Sequence, residues 1–137
     1  MKEIIIEAPL NSVYEAYADI KGWRRVMGDI LSVDVKYDDG MHQEFDMTVQ
    51  RGSGQETVHS VRFCYPCQAI EMFQTQPPPL FDSMSGVWNF IPCSGGILVQ
   101  ATRKFKIKKD VNFDGSILES FLEKNLSSFK AWIENCA

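Results

Sequence analysis

The stretch DGSILESFLEKNLSSFKAWI, residues 114–133, decides how the rest of the chain is read. Ile117, Leu118, Phe121, Leu122, Leu126, Phe129, Trp132 and Ile133 recur three and four residues apart, which puts them on one face of a helix. Asp114 stands where an N-cap belongs. An apolar stripe of that length has to be buried against something large.

Working back from it, the pattern changes to a period of two. Residues 97–107 place Ile97, Val99, Ala101, Arg103, Phe105 and Ile107 on one face of a strand. The turn Ser94-Gly95-Gly96 precedes it, and a strand over about 85–91 comes before that. Pro77-Pro78-Pro79 cannot join a ladder and marks a loop or an edge. Strands are expected over about 69–74 and 56–64, with the turn Arg51-Gly52-Ser53-Gly54 before them. Phe45, Met47 and Val49 alternate with polar residues, as do Leu31, Val33, Val35 and Tyr37, around the hairpin turn Asp38-Asp39-Gly40. Residues 2–7 form the first strand, which Pro9 stops. Val13, Tyr14 and Tyr17 predict a helix over 10–18 with Asn11 or Ser12 as cap. Lys21-Gly22 breaks it, and a short helix over 23–27 ends near Gly28. The order is strand, two short helices, six antiparallel strands and a long helix. The sheet is the one partner large enough for that helix. An α+β helix-grip fold follows: a curved antiparallel sheet of about seven strands wrapped around the C-terminal helix, with an internal cavity, in one domain over residues 1–137.

Composition narrows the function classes. The chain has 137 residues and a net charge of −4, with 45% hydrophobic, 12% aromatic and 23% charged residues, which fits one globular domain rather than disorder. No run approaches a membrane span and no export-type segment opens the sequence, so a cytoplasmic, reducing setting is expected. The mild acidic excess disfavours general nucleic-acid binding. Cys64-Tyr65-Pro66-Cys67 spells C-x-x-C, but between two strands and not at a helix start. It reads as two cysteines at a turn, and with Cys93 and Cys136 they are expected to be free thiols. His42 and His59 lack a metal or triad pattern and are expected on the surface. Gly52-Ser53-Gly54 is too short to cradle a phosphate. Trp23, Trp88 and Trp132 are core or cavity-wall candidates.

Two arginines do not fit a plain core. Arg103 falls on the apolar face of the last strand, where it needs a carboxylate, water or ligand, unless it snorkels at the rim. Arg62 sits in a strand whose two faces, Thr57-His59-Val61-Phe63 and Val58-Ser60-Arg62-Cys64, are equally apolar. The period alone leaves open which face is inside, and taken by itself Arg62 reads as a surface residue.

The segments Ile5-Ile6-Glu7-Ala8-Pro9, Val13-Tyr14, Asp19-Ile20-Lys21-Gly22-Trp23, Val58-His59-Ser60-Val61-Arg62, residues 84–88, Gly95-Gly96 and Phe113-Asp114 together resemble the single-domain polyketide aromatase/cyclases of the tetracenomycin type. These belong to the START and birch-pollen-allergen-like superfamily. The resemblance runs nearly end to end; its Ser-x-Arg and later-strand tryptophan are the more specific features. It implies that Arg62 faces inward as the main catalytic residue, with Ser60 beside it. It further implies a substrate-binding wall of Trp23, Ile30, Phe45, Val58, Phe81, Trp88 and Arg103. Three positions depart from the family pattern: Ile30 replaces a pocket tyrosine, Val58 a tryptophan, and Arg103 a residue that is usually glutamine. The implied activity is cofactor-independent aldol cyclisation and dehydration of a poly-β-ketone carried on an acyl carrier protein. The alternative in the same superfamily is a non-catalytic carrier of a lipid, quinone or aromatic ligand; a third is a partner-binding member. Neither metal, nucleic acid nor membrane is implied, and monomer and homodimer both stay open. Lys104, Lys106 and Lys108 share an outer strand face that is either plainly solvated or meets the acidic carrier protein.

Overall fold

A computed structural model describes residues 1–77, 81–109 and 115–135. The Asp114 cap, Phe113, Pro78, Pro79 and Cys136 lie outside the described residues.

Seven strands form one antiparallel sheet in the order β1-β7-β6-β5-β4-β3-β2. They are β1 (Lys2–Ile6), β2 (Ile30–Asp38), β3 (His42–Arg51), β4 (Gly54–Tyr65), β5 (Ala69–Gln76), β6 (Phe81–Cys93) and β7 (Gly96–Ile107). Between β1 and β2 lie α1 (Leu10–Ala18), a 3₁₀ turn (Ile20–Gly22) and α2 (Trp23–Val26); α3 (Ser116–Asn135) ends the described chain. This is the helix-grip arrangement, with the expected strand count and helix order.

Alternation explains which residues enter the core. On β3, Phe45, Met47 and Val49 are buried, while Glu44 is exposed and Asp46, Thr48 and Gln50 are half-buried. On β4 the buried set is Val58, Ser60, Arg62 and Cys64, so the face that the period left ambiguous is now assigned. The hairpin at Asp38-Asp39-Gly40 is held by Asp39, whose Oδ1 accepts from the backbone N–H of Met41 (2.9 Å) and His42 (2.7 Å). Gly40 has φ +89°, a conformation open to glycine at little cost.

Several local expectations are corrected. Helix α1 starts at Leu10 with Pro9 in the cap position and no side-chain cap from Asn11 or Ser12; Val13 N–H closes the first turn on the Pro9 carbonyl at 3.1 Å. On β2, a register shift between Ile30 and Ser32 turns Ile30 into the core and Leu31 out to solvent. Strand β6 begins at Phe81, four residues earlier than expected. Phe105, at the rim of β7, is exposed and meets Phe81 edge-on at 5.7 Å.

The long helix is divided in use. In its C-terminal half Phe129 stacks on Tyr17 of α1 at 3.9 Å between ring centres, and Leu126 and Ile133 are buried. Lys130 Nζ donates to the Ile5 carbonyl (2.7 Å), and Glu134 accepts from the Glu7 N–H (2.9 Å), which ties this half to β1. In the N-terminal half Ile117, Leu118, Phe121 and Leu122 line a cavity between helix and sheet, and Leu122 also belongs to the buried core. Trp132 is 37% exposed and belongs to neither the core nor the cavity wall, which corrects its reading as a candidate for either.

Candidate functional site

The cavity between α3 and the sheet has a volume of about 330 Å³. Four of the six methionines, Met27, Met47, Met72 and Met84, line it alongside branched aliphatics. Thioether side chains fill irregular space and adapt to a ligand's shape. All nine expected site residues border this space: Arg62, Ser60, Trp23, Trp88, Arg103, Ile30, Val58, Phe81 and Phe45.

Arg62 is 1% exposed. Its Nε donates to Gln43 Oε1 (2.8 Å) and its Nη2 to the Ala18 carbonyl (2.9 Å), while Nη1 has no partner. Gln43 is itself fixed, because its Nε2 donates to the same Ala18 carbonyl at 2.8 Å. The guanidinium lies over the rings of Trp23 (5.3 Å) and Phe45 (5.8 Å). Burial pulls its pKa down to about 10, which leaves it protonated at neutral pH. No carboxylate forms an ion pair with it among the described residues. A desolvated cation held by neutral acceptors keeps its field for whatever occupies the cavity.

Ser60 is buried two residues away on the same face of β4 and pairs in register with Phe45 on β3 and Gln74 on β5. Gln74 Oε1 lacks a partner, so a buried acceptor borders the cavity. Trp23 and Trp88 meet edge to face at 5.6 Å. Each is pinned through its indole N–H: Trp23 to the Tyr17 carbonyl (2.9 Å), Trp88 to Asn125 Oδ1 on α3 (3.3 Å).

Arg103 faces inward, as one of its two readings held. Its guanidinium lies 4.6 Å from the Trp88 ring centre and donates through Nη1 to the Thr102 carbonyl (3.1 Å). Burial lowers its pKa to about 10 as well. Gly86, its register partner on β6, makes room: a Cβ there would sit 2.4 Å from Arg103 Nη1 and 2.6 Å from the Thr102 oxygen.

Charged residues collect at the partly exposed end of the cavity. Arg51 and Lys124 both reach Asp29 Oδ2 (3.3 and 3.2 Å), Arg51 approaches Glu56 (3.7 Å), and its guanidinium covers Phe121 at 4.6 Å. Exposed pairs of this kind contribute little stability.

Sequence reasoning missed Gln43, Gln74 and Asn125. The first two carry the signal that exposed Arg103, a polar residue in phase with an apolar alternation: Gln43 with Phe45 and Met47, Gln74 with Ile70 and Met72. The remaining motifs stay outside the site. His59 pairs with Asp46 and His42 with Glu44 (3.2 Å) on the outer face. Cys64 is buried at the end of β4, where burial pushes its thiol pKa up, the opposite of redox activation. Cys67, in the following turn with φ +58°, and Cys93 are free. Lys104, Lys106 and Lys108 are exposed. No described helix is long and apolar enough to cross a membrane, and no group of three metal-ligating side chains occurs among the described residues.

A curved sheet gripping a helix around a cationic, aromatic-walled cavity is a START-like fold. The sequence pattern of the polyketide cyclase/dehydrase and lipid-transport family matches residues 6–133, and the chain belongs to that family. Its fold is similar to the di-domain aromatase/cyclase StfQ of the steffimycin biosynthetic pathway (21% identity, TM-score 0.89, covering 98% of this chain and 50% of that one). It is also similar to the Zhui aromatase/cyclase of Streptomyces sp. R1128 (20%, TM-score 0.83, covering 97% and 91%). A START superfamily protein of Mycobacterium smegmatis is similar too (15%, TM-score 0.85, covering 99% and 97%). The chain thus spans half the length of the StfQ di-domain. A search of the curated proteins gives no match.

Proposed function

We propose that this domain is a polyketide aromatase/cyclase that closes a ring in a poly-β-ketone held on an acyl carrier protein. The observation that carries the reading is the uncommitted Nη1 of Arg62, on a buried guanidinium fixed by Gln43 and the Ala18 carbonyl beside an apolar, aromatic cavity. A poly-β-ketone is reactive without help, so the enzyme's first task is to hold one methylene near one ketone. When the methylene loses a proton and its carbon attacks the ketone carbon, a C–C bond forms and the ketone oxygen becomes an alkoxide. The Arg62 cation stabilises that charge. Ser60, directly or through water, relays the proton lost by the methylene to the alkoxide oxygen, its hydroxyl giving up one proton as it gains the other. Loss of water then gives the aromatic ring. Trp23, Trp88, Phe45, Phe81, Ile30 and Val58 shape the chain's path, and no metal or redox cofactor enters these steps. The exposed Lys104, Lys106 and Lys108 supply a docking surface for an acidic carrier protein.

The test is a product profile from a minimal polyketide synthase with and without this protein, read by liquid chromatography and mass spectrometry. A single dehydrated ring product is expected, and it is lost in a folded Arg62→Ala variant. An unchanged mixture of spontaneous products across chain lengths would overturn the reading. Isoleucine at position 30, where aromatase/cyclases carry a tyrosine, supports a second reading as a carrier of a small hydrophobic or aromatic ligand. A carrier retains such a ligand on purification, which denaturing extraction detects.

A further inference from the structure

Strand register places buried Arg62 and half-buried Arg103 on one line. Gln43 on β3 pairs with Arg62 on β4, Arg62 with Met72 on β5, Met72 with Gly86 on β6, and Gly86 with Arg103 on β7. Three strand spacings separate the arginine backbones, about 14 Å along the sheet. Of the two positions between them, Met72 carries a flexible side chain and Gly86 gives its space to the Arg103 guanidinium, so Arg103 lies across β6 toward the row's centre.

Each arginine faces the cavity without a carboxylate partner among the described residues. The two carboxylates that border the cavity, Asp29 and Glu56, are engaged by Arg51 and Lys124. In a chain whose net charge is −4, the cavity interior carries two positive charges and, among the described residues, no carboxylate paired with either. The arginines also differ. Arg62 is clamped by neutral acceptors and keeps one free nitrogen, which suits a single carbonyl or alkoxide oxygen. Among the described residues Arg103 is held by its neighbour's carbonyl and the Trp88 face, and its planar fork suits a bidentate acceptor. A carboxylate in bidentate geometry binds a half-buried guanidinium more strongly than a neutral carbonyl does.

We propose that Arg103 is an anion subsite that takes a carboxylate at the end of the ligand remote from Arg62, so that the cavity binds aromatic or polyenolic carboxylic acids in preference to their neutral counterparts. The ring of such a ligand lies in the space over Met72, beside Trp88. The subsite needs binding only and goes beyond the cyclase reading. A cyclised product without carboxylate preference sinks the subsite alone, and carboxylate preference without cyclisation sinks the cyclase alone.

The probes are 2-naphthoate and 2-acetylnaphthalene, near-isosteres that differ in charge, with affinity read by calorimetry and by quenching of tryptophan fluorescence. At neutral pH the wild-type chain is expected to bind the carboxylate at least about tenfold more tightly than the ketone, as a paired buried charge would give. Arg103→Gln brings the ratio to one. Arg62→Gln weakens ketone binding and leaves the preference in place. Arg103→Lys, which keeps the charge without the fork, retains part of the preference and serves if the glutamine variant unfolds. Equal affinities in the wild type, no binding of either probe, or a full preference surviving in Arg103→Gln would overturn the proposal.

Discussion

Replacing Gly86 by alanine tests the placement of Arg103 without touching an arginine. The added Cβ would lie 2.4 Å from Arg103 Nη1, 2.9 Å from Arg103 Cδ and 2.6 Å from the Thr102 oxygen. All three are well inside van der Waals contact, and one is backbone, so a rotamer change cannot relieve them all. Overpacking of this kind costs about 1–3 kcal/mol. Alanine returns about 0.5–1 kcal/mol because glycine is entropically costly in a strand interior. The net loss is about 1–2 kcal/mol, a fall in melting temperature of about 3–8 °C for a chain of this size. In an Arg103→Ala background two of the three contacts disappear, and the same change should cost less than about 1 kcal/mol. Thermal and urea unfolding of the four proteins give the coupling between the sites directly. Equal costs in both backgrounds would refute the geometry, because Arg103 would not then lie across Gly86.

Three further outcomes are expected. Gln43→Glu places a carboxylate at the atom that accepts from Arg62 Nε and neutralises the field at Nη1; ring closure in the product assay should fall at least about tenfold while the circular dichroism stays native. Glu134 has its pKa held below the usual carboxylate value by the Glu7 N–H and then by Lys130, so its stabilisation is present above about pH 4.3 and is lost as pH falls. In Glu134→Gln the decline in melting temperature between neutral and acid pH should be shallower than in the wild type. Charge reversal at Lys104 and Lys106 should weaken carrier-protein binding and flatten its salt dependence; binding indifferent to both changes would remove that surface from docking.

The fold is readable in the sequence because two periodicities dominate it, helical over 117–133 and alternating over most of 31–107. The inside of β4 is not, and the structure gives the reason. The outer face there carries its own aromatic ladder: His42 stacks on Phe63 at 5.2 Å, and Phe63 meets Phe73 at 6.0 Å. Apolar residues outside erase the contrast on which alternation relies, and only the likeness to aromatase/cyclases pointed Arg62 inward. Leu31 was misplaced by a register shift that no residue type announces. Gln43 and Gln74 went unnoticed because glutamine in a strand is ordinarily read as surface, although both keep step with buried neighbours. Arg103 was noticed for that phase, but its resting place depends on Gly86, a neighbour across the sheet and 17 positions earlier in the chain.

The split along α3 separates two kinds of mutational freedom. Its C-terminal half is moored to β1 through Lys130 and Glu134 and to α1 through Phe129, so changes there register as lost stability. Its N-terminal half meets the cavity through Ile117, Leu118, Phe121, Leu122 and Asn125, and changes there alter what fits beneath it. Distant sites of this kind combine additively. Selection can therefore revise ligand preference in one half of a single helix while the other half preserves the domain, and a designer can treat residues 117–125 as a replaceable panel on a conserved mount.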